Sequence, residues 1–533
     1  MNLREWFWQK SVLLLLRRCP LPRDIIRRSF RLFGPRPALA SSRGSLTFNE
    51  LGDRVRRWCG LLAEWGVGPG RPVFLQLKDD WEFIEIDLAL YMTGAVTTFF
   101  HELSPPEFIV GAAAVFKPAL FLYEPTAGAA AAAALTGADS PARCVPLDAA
   151  LRARVDAAPV LDPQPDLKPE DFCGMGFTSG TSGTPKCLPV AQGASIKGLR
   201  LLIPYLKVTD AKPGTFLSGI PLIGAGSGMI FPWLTTGGRL ALPPRHDFDT
   251  LADAIEELQA TRLFLTPSQL IDFLDAPPER LGFMRRVVQI IYGSAPMPAA
   301  KLEEAVRRFG PIFQQGYGMA EVLPPVTFLS MEEHARNGRP APRSVLSSVG
   351  RVVRGVSVKI EDERGKLLPT GETGLVWVKS PTVFTGYWDR ADLNARVLVD
   401  GYLRTGDYGF FDAEGYLHIL DREQDVIERV GGKLFPRVVE ETAHDHPAVK
   451  EAALVLNKKS DRLTLVVSLR RGHRESPRAA LGRELLAFVT GRLPESQRPE
   501  EILLLDELPR SFLGKLLRRQ VRELLEQRTD PTP

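Results

Sequence analysis

Apolar residues near the start of the chain change their spacing in a regular way. Residues 48–65 and 81–93 carry them at helical spacing, whereas residues 73–77 and 95–100 are short apolar runs of the length of buried strands. A glycine-rich turn separates the first of these helices from the first strand. This alternation predicts a parallel sheet that is covered by helices.

The alternation returns between residues 250 and 310, and the pattern then changes twice. The elements predicted there are helices at 251–258 and 301–309 and strands at 262–265 and 287–292. After Gly350, short strands and turns predict a small β-barrel, with strands at 352–360 and 374–378. From about Asp421 a last unit mixes helices with two strands, predicted at 452–456 and 463–469.

These patterns together predict an α/β protein with two domains. The large N-terminal domain holds two parallel-type sheets with helices and the small β-barrel, and a smaller α+β domain follows it. The predicted boundaries are residues 1–36 for a basic amphipathic segment, 37–420 for the large domain, 421–527 for the small domain and 528–533 for a tail.

Composition sets broad limits on the function. A chain of 533 residues with 44% hydrophobic content can build several cores, and its 24% charged residues argue against wholesale disorder. Its five cysteines form no C-x-x-C pair, which argues against a zinc ribbon or a disulfide framework and favours a reducing compartment, the cytoplasm. His444 and His446 have no third metal ligand nearby and are interpreted as surface histidines.

Positive charge is concentrated at the N-terminus, for which two interpretations stay open. Residues 1–36 hold nine basic and two acidic side chains, a local +7, so the net charge of +4 leaves about −3 for the rest and gives no support for nucleic-acid binding. The apolar run at 12–16 is far shorter than the ~20 residues that span a bilayer. Residues 3–31 could form a helix in a membrane interface, or a helix packed on the protein with solvated arginines.

Residues 177–186, FTSGTSGTPK, combine hydroxyls, glycines and a lysine in one short loop. The hydroxyl groups belong to Thr178, Ser179, Thr181, Ser182 and Thr184. Gly180 and Gly183 let backbone N–H groups approach a ligand, and Lys186 adds a positive charge. Such a loop suits a polyphosphate. The alternative is a flexible linker between domains, but a linker needs no lysine.

The loop resembles the phosphate loop of the adenylate-forming superfamily, which includes acyl-CoA synthetases, adenylation domains of peptide synthetases and beetle luciferases. Segments that are similar to the family's other motifs follow in order, so that the resemblance runs from about Phe33 to Leu525. It implies that the protein binds ATP, Mg²⁺ and coenzyme A, that Lys186 is catalytic, and that the small domain is mobile.

Two segments resemble the family's adenine-binding elements. The first is a turn after a predicted strand, where open α/β sheets place ligands, with Gly293, Ser294, Ala295 and Pro296. The second sets a tyrosine between glycines, so that its ring can stack on a base, with Gln315, Gly316, Tyr317, Gly318 and Met319. Glu321 follows as a catalytic ligand for Mg²⁺. The family's usual hydroxyl is missing at Ala320, at a cost of about 1 kcal/mol.

The later motifs resemble those that bind ribose and move the small domain. Asp407 matches the aspartate that holds the ribose hydroxyls, and Arg422 matches an arginine that contacts the same sugar. Gln424 stands at the hinge, where aspartate or lysine is usual. The loop that lines the pantetheine channel is matched by Gly431, Gly432 and Lys433. Lys515 matches the mobile lysine that bridges the substrate carboxylate and the α-phosphate as charge builds there.

The implied reaction joins a small-molecule carboxylic acid to ATP and then to coenzyme A. Between Ala211 and His246 there is no acidic residue to hold an amino group, which argues against an amino-acid substrate. The predicted substrate pocket is apolar and consists of Ile223, Gly224, Gly226, Gly228, Val322 and Leu323. A medium- or long-chain fatty acid fits it best, and an aryl acid comes next. Gly224 replaces the aromatic gate that acyl-CoA synthetases often carry.

Other outcomes of the same fold remain open. The acyl-adenylate could pass to an acyl carrier protein, or cyclise when the substrate bears a β-hydroxyl. A different class is a non-catalytic nucleotide- or acyl-binding protein, which four departures from the family pattern would favour: Cys187, Gly224, Ala320 and Gln424. Against that alternative stand the retained Lys186, Glu321, Asp407, Arg422 and Lys515.

Overall fold

The computed structural model describes residues 11–14, 16–78, 80–138, 140–178, 186–206, 214–429, 432–511 and 516–527. Within these ranges, a six-stranded sheet forms the first layer of the large domain. Its central strands are almost fully buried, because helices cover both faces of a parallel sheet. In spatial order its strands are Arg143–Pro146, Leu120–Tyr123, Pro72–Gln76, Val96–Phe99, Phe172–Thr178 and Lys186–Ala191.

A nine-stranded sheet forms the second layer. Five successive parallel pairings join the strands from Phe313–Met319 to Pro37–Ser41, and antiparallel strands close both edges. In spatial order the strands are Arg351–Val352, Val322–Leu329, Phe313–Met319, Gln289–Tyr292, Arg262–Leu265, Thr215–Ser218, Arg239–Ala241, Pro37–Ser41 and Gly44–Thr47. The two parallel-type sheets of the prediction are thus confirmed.

The unit predicted as a small barrel is present as a five-stranded antiparallel sheet. Its strands are Ser357–Glu361, Gly374–Lys379, Leu398–Val399, Tyr402–Phe411 and Leu417–Arg422. The single strand predicted at 352–360 is divided between two sheets. Arg351–Val352 pairs with the nine-stranded sheet, and the backbone turns at Gly355, whose φ of 93° suits glycine, before Ser357–Glu361 begins.

The small C-terminal domain has its own three-stranded sheet and core. Its strands are Val449–Asn457, Arg462–Leu469 and Glu501–Leu505, so both strands predicted from the sequence are found, with longer bounds. Two short antiparallel pairs lie outside the sheets, namely Ile427–Arg429 with Gly432–Leu434, and Ala335–Arg336 with Arg339–Pro340.

Helices cover the sheets on both sides. The large domain contains Pro22–Phe33, Phe48–Glu64, Trp81–Thr93, Pro106–Phe116, Pro125–Gly137, Ala149–Ala157, Gln192–Leu202, Ile230–Thr236, Phe248–Glu257, Pro267–Asp275, Ala299–Phe309, Arg343–Leu346 and Ala391–Val397. The small domain contains Pro436–His444, Arg478–Thr490 and Arg518–Gln527. Short 3-10 helices are Ile203–Tyr205, Gly224–Met229, Pro278–Arg285, Met331–Glu333, Glu423–Asp425, Arg471–His473 and Glu495–Gln497.

The N-terminal helix Pro22–Phe33 packs on the body of the protein. Its apolar face, which includes Ile26 and Phe30, is buried in the main core. Arg27 is engaged rather than solvated, since its guanidinium donates to Asp162 Oδ1 and Gln164 Oε1, both at 2.9 Å. The apolar face that a membrane interface needs is therefore already covered over residues 22–33, and the first ten residues lie outside the described ranges. No helix in those ranges is long and apolar enough to cross a bilayer.

Charged side chains link the small domain to two helices of the large domain. Arg470 pairs with both oxygens of Glu304, at 2.9 and 3.0 Å, and with Asp275. Lys450 pairs with Asp272 at 2.5 Å. His444 and His446 are buried rather than on the surface, because the helix Pro436–His444 and the turn after it are covered by neighbouring elements. Burial lowers the pKa of His444 to about 3.

Helix Trp81–Thr93 is buried on almost every side, and this includes an acidic residue. Asp87 is 1% exposed, and neither of its carboxyl oxygens has a hydrogen-bond partner among the residues that the structure describes. Burial raises the pKa of Asp87 to about 7. The carboxyl group is therefore protonated in the folded protein under mildly acidic conditions, when an unfolded aspartate has already ionised.

Stability should therefore fall as the pH rises from about 4 to about 7, because the folded state binds a proton there that the unfolded state has lost. Asp87→Asn should remove this slope and stabilise the protein at pH 8 by up to about 4 kcal/mol. Melting midpoints between pH 4 and 8 test this, with Glu257→Gln on an exposed position as the control. Parallel pH profiles for Asp87→Asn and the wild type would refute it.

Candidate functional site

A tyrosine and an aspartate meet where the nine-stranded sheet faces the small antiparallel sheet. The hydroxyl of Tyr317 donates to Asp407 Oδ2 at 2.5 Å, and Arg422 Nε lies 3.6 Å from Asp407 Oδ1. Burial and the Asp407 carboxylate raise the pKa of Tyr317 well above its usual range, so the hydroxyl stays a donor. The structure thus brings three of the predicted site residues into one cluster.

Asp407 is held in place by its own strand. Gly406 supplies a positive φ of 74°, and the pairing with the strand Gly374–Lys379 shifts its register between Arg404 and Tyr408. The backbone N–H of Asp407 donates to Thr405 Oγ1 at 3.1 Å, while the Thr405 hydroxyl donates to the Val376 carbonyl at 2.8 Å. The Asp407 carboxylate, 6% exposed, is therefore fixed by neighbours in the sheet and not by a flexible turn.

A second tyrosine links two more of the predicted site residues. The hydroxyl of Tyr387 donates to Glu321 Oε1 at 2.6 Å, and Lys186 Nζ lies 5.3 Å from the centre of the Tyr387 ring. The sequence analysis missed Tyr387. The signal for it is the run Gly386, Tyr387, Trp388, which repeats the glycine–aromatic pattern around Tyr317.

The two predicted adenine-binding segments lie side by side. Gly293 ends a parallel strand, and a Cβ atom at this position would lie 3.6 Å from the carbonyl oxygen of Gly316. Ser294 follows with a φ of 70° and is exposed, Ala295 is half-buried and Pro296 is exposed. The side chain of Gln315, however, points into the core, where its Oε1 accepts the Tyr292 hydroxyl at 3.3 Å. Only its backbone can face a ligand.

The predicted substrate pocket is only partly assembled from the expected residues. Position 226 requires glycine, because a Cβ atom there would come within 2.1 Å of the Pro221 carbonyl oxygen. Leu323 faces helix Gln192–Leu202, since a Cβ atom on Gly198 would lie 3.7 Å from its Cβ. Val322 is a correction: its side chain is 1% exposed in the core of the small antiparallel sheet, so it does not line a pocket.

Two family models match the chain. One, described as AMP-binding enzyme, matches residues 26–388, and the other, its C-terminal domain, matches residues 438–515. The chain belongs to the AMP-binding enzyme family. The resemblance that the motifs indicate is thereby confirmed, and the protein is an enzyme.

Relatives of this AMP-binding enzyme span nearly its whole length. It is 30% identical to a medium/long-chain-fatty-acid–CoA ligase, FadD8, of Mycobacterium tuberculosis, over 91% of this chain and 87% of the relative. It is 28% identical to a 2-succinylbenzoate–CoA ligase of Bacillus cereus, over 95% and 99% of the two chains. Among solved structures, the amide bond synthetase McbA from Marinactinospora thermotolerans superposes with a TM-score of 0.80 and 29% identity, over 94% and 99%.

Some predicted residues of this AMP-binding enzyme lie away from the Asp407 cluster. Lys433 donates to Glu363 and, at 2.5 Å, to the Tyr408 hydroxyl. Tyr408 follows Asp407 along the strand, so its side chain points to the opposite face, and Lys433 lies behind that strand. Gln424 is exposed in the 3-10 helix Glu423–Asp425, and the adjacent Glu423 pairs with Arg404 at 2.8 Å.

Other predicted residues fall outside the described ranges. These are Ser179, Gly180, Thr181, Ser182, Gly183, Thr184, Gly431 and Lys515, and of Thr178 only the backbone is described. The departure at Cys187 is a buried position, 8% exposed in a core with Met175 and Val96. Burial raises the pKa of the Cys187 thiol to about 12.

We predict that Asp407→Asn weakens ATP binding by roughly 10- to 100-fold, because hydrogen bonds to a charged group are worth ~1.5–3 kcal/mol. Titration calorimetry with ATP would measure the change. Asp412→Asn is the matched control, since Asp412 accepts from His418 at 3.0 Å in the same small sheet but is no predicted ligand. Unchanged ATP affinity in Asp407→Asn would remove Asp407 from the site.

Proposed function

We propose that this enzyme uses ATP to activate a hydrophobic carboxylic acid as an acyl-adenylate and then transfers the acyl group to coenzyme A. One observation carries the proposal: the Tyr317–Asp407 and Tyr387–Glu321 pairs share one neighbour, Arg422. Its positive charge lowers the pKa of both tyrosines against the larger effect of burial, so the guanidinium lies within electrostatic reach of both pairs. This shared neighbour supports the proposal that Asp407 binds the ribose and Glu321 the phosphate region of one ATP molecule.

In the first step an oxygen of the substrate carboxylate attacks the α-phosphorus of ATP, and the bond to pyrophosphate breaks. Negative charge builds on the phosphate oxygens, and the enzyme must neutralise and orient it. We assign this task to Lys186 and the loop before it, with Lys515 reaching the α-phosphate from the small domain. We assign Asp407 and Arg422 to the ribose, and the neighbouring backbones of Gly293 and Gly316 to adenine.

The residues present suit a magnesium ion that ATP brings with it. Over the described part of the chain no three acidic, histidine or cysteine side chains gather into a metal cage. Glu321 has one oxygen bound to Tyr387, which leaves the other for a hard cation whose remaining ligands are phosphate oxygens and water. Bound there, Mg²⁺ would neutralise phosphate charge.

In the second step the thiol of coenzyme A attacks the acyl carbonyl carbon, and AMP leaves. We propose that the small domain first turns about Gln424 and carries Lys515 away, so that the loop of Gly431, Gly432 and Lys433 can approach the site. Lys433 must then leave Glu363 and Tyr408, which hold it on the far side of the strand. Such gating is common where two half-reactions share one site.

For the substrate we propose a medium- or long-chain fatty acid, with an aryl acid as the next class. The chain around the proposed pocket is apolar, since Leu222 and Ile223 are buried in the main core just before the glycine-rich helix Gly224–Met229. Both classes occur in the names of the relatives, one a fatty-acid ligase and one a 2-succinylbenzoate ligase. Peripheral membrane contact through residues 3–31 stays a prediction.

A second acceptor deserves a separate assay. The likeness to an amide bond synthetase favours an amine as an alternative to the thiol of coenzyme A. A phosphopantetheine on an acyl carrier protein, and an internal hydroxyl, would release the same pyrophosphate. Pyrophosphate release therefore cannot distinguish these acceptors, and only the identity of the acyl product can.

We expect carboxylate-dependent pyrophosphate release from Mg·ATP with fatty acids, and an acyl-CoA product when coenzyme A is added. Lys515→Ala should slow release by at least roughly 100-fold, the usual cost of one charge-stabilising donor. Lys433→Ala should slow only the step that needs coenzyme A. Product formation with an amine or a carrier protein instead would change the acceptor, and no release with any acid from protein that binds ATP would refute the proposal.

A further inference from the structure

Residues 383–388 form a segment that is tied on both sides to predicted catalytic residues. The backbone N–H of Phe384 donates to the Glu321 carbonyl, and that of Trp388 donates to the Cys187 carbonyl, both at 2.9 Å. Cys187 is the direct neighbour of Lys186. Val322 and Val383 add a bridge beside Glu321. The segment is therefore clamped between the strand that begins at Lys186 and the strand that follows Glu321.

Within this segment Tyr387 has a fixed backbone. The side-chain amide of Asn394 bonds it twice, accepting from Tyr387 N at 2.7 Å and donating to Tyr387 O at 2.8 Å. Gly386 must be glycine, because its φ is 122° and a Cβ atom would come within 2.7 Å of the Asn394 amide. The ring of Phe384 packs edge-on against the Tyr387 ring at 4.8 Å. These contacts settle where the hydroxyl and the ring face can point.

We propose that Tyr387 is a positioning residue for the adenylation step, an inference that rests on the proposed function. Its hydroxyl holds Glu321 Oε1, at 2.6 Å, and so turns the other carboxylate oxygen toward the ATP phosphates. Its ring face holds the ammonium of Lys186, at 5.3 Å, in the same place. One side chain thereby sets the distance between the cation and the carboxylate that flank the phosphates. Burial and the Glu321 carboxylate raise the pKa of Tyr387, which keeps the hydroxyl a donor.

Tyr387→Phe removes the hydroxyl and keeps the ring under Lys186. We expect the Mg²⁺ concentration for half-maximal ATP binding, measured by calorimetry without any carboxylic acid, to rise about tenfold, as for other residues that orient a metal ligand. ATP binding in EDTA should stay unchanged. The rate of acid-dependent pyrophosphate exchange should fall by about the same factor. An unaltered Mg²⁺ titration would overturn the inference.

Two further variants separate positioning from a general loss of fold. In a Glu321→Ala background, Tyr387→Phe should change the Mg²⁺ requirement by less than about twofold, because the carboxylate that Tyr387 orients is already gone; a full effect there would overturn the proposal. Asn394→Ala, which frees the backbone of Tyr387 and leaves its hydroxyl, should shift the requirement in the same direction as Tyr387→Phe, and no shift would count against it.

Tyr402→Phe is the matched control. Two lysines also lie near the Tyr402 ring, with Lys359 Nζ at 4.5 Å and Lys379 Nζ at 5.6 Å from its centre. Tyr402 is, however, the first residue of its strand and bonds no predicted site residue in the described part of the chain. We expect its Mg²⁺ and ATP titrations to match the wild type. Wild-type protein that binds no Mg·ATP would instead defeat the proposed function itself, before Tyr387 is considered.

Discussion

Three sheets of the large domain meet at the segment 383–388, and the site depends on that junction. The segment leaves the small antiparallel sheet, bonds the six-stranded sheet through Cys187 and bonds the nine-stranded sheet through Glu321. A shared core with Leu188, Val326 and Phe384 fills the space behind it. Open α/β sheets bind ligands at the ends of their strands. The segment 383–388 brings such ends from separate sheets to one place.

A hydrogen bond from a tyrosine to a predicted acidic ligand occurs twice in the site. Each predicted acidic ligand, Asp407 and Glu321, accepts a hydrogen bond from a tyrosine. Tyr317 lies in a strand of the nine-stranded sheet, and Asn394 holds the backbone of Tyr387. A carboxylate held at one oxygen has fewer orientations and still offers the other oxygen. In the proposed function, this restriction would reduce the entropy lost when the nucleotide binds.

The fold was largely predictable because its strands contain short apolar runs, as at residues 263–265, and because apolar residues in its helices recur at helical spacing, as in Phe48–Glu64. Pairing partners were not predictable: nothing local tells that Arg351–Val352 leaves the small sheet for the large one. The site motifs were readable as single segments. Tyr387 was missed, and Val322 misplaced, because the direction of a side chain depends on contacts far along the sequence, such as those of Asn394 and Phe384.

Ion pairs contribute to the interface between the large and the small domain. Arg470 with Glu304 and Asp275, and Lys450 with Asp272, are partly buried ion pairs. When such ion pairs separate, water solvates each charged group again. An apolar interface between the domains would instead expose hydrophobic surface, which promotes aggregation, each time it opened. Dissolved salt also screens the pairs. If the small domain turns as proposed, the contact it breaks is thus one whose two halves water can cover at every catalytic cycle.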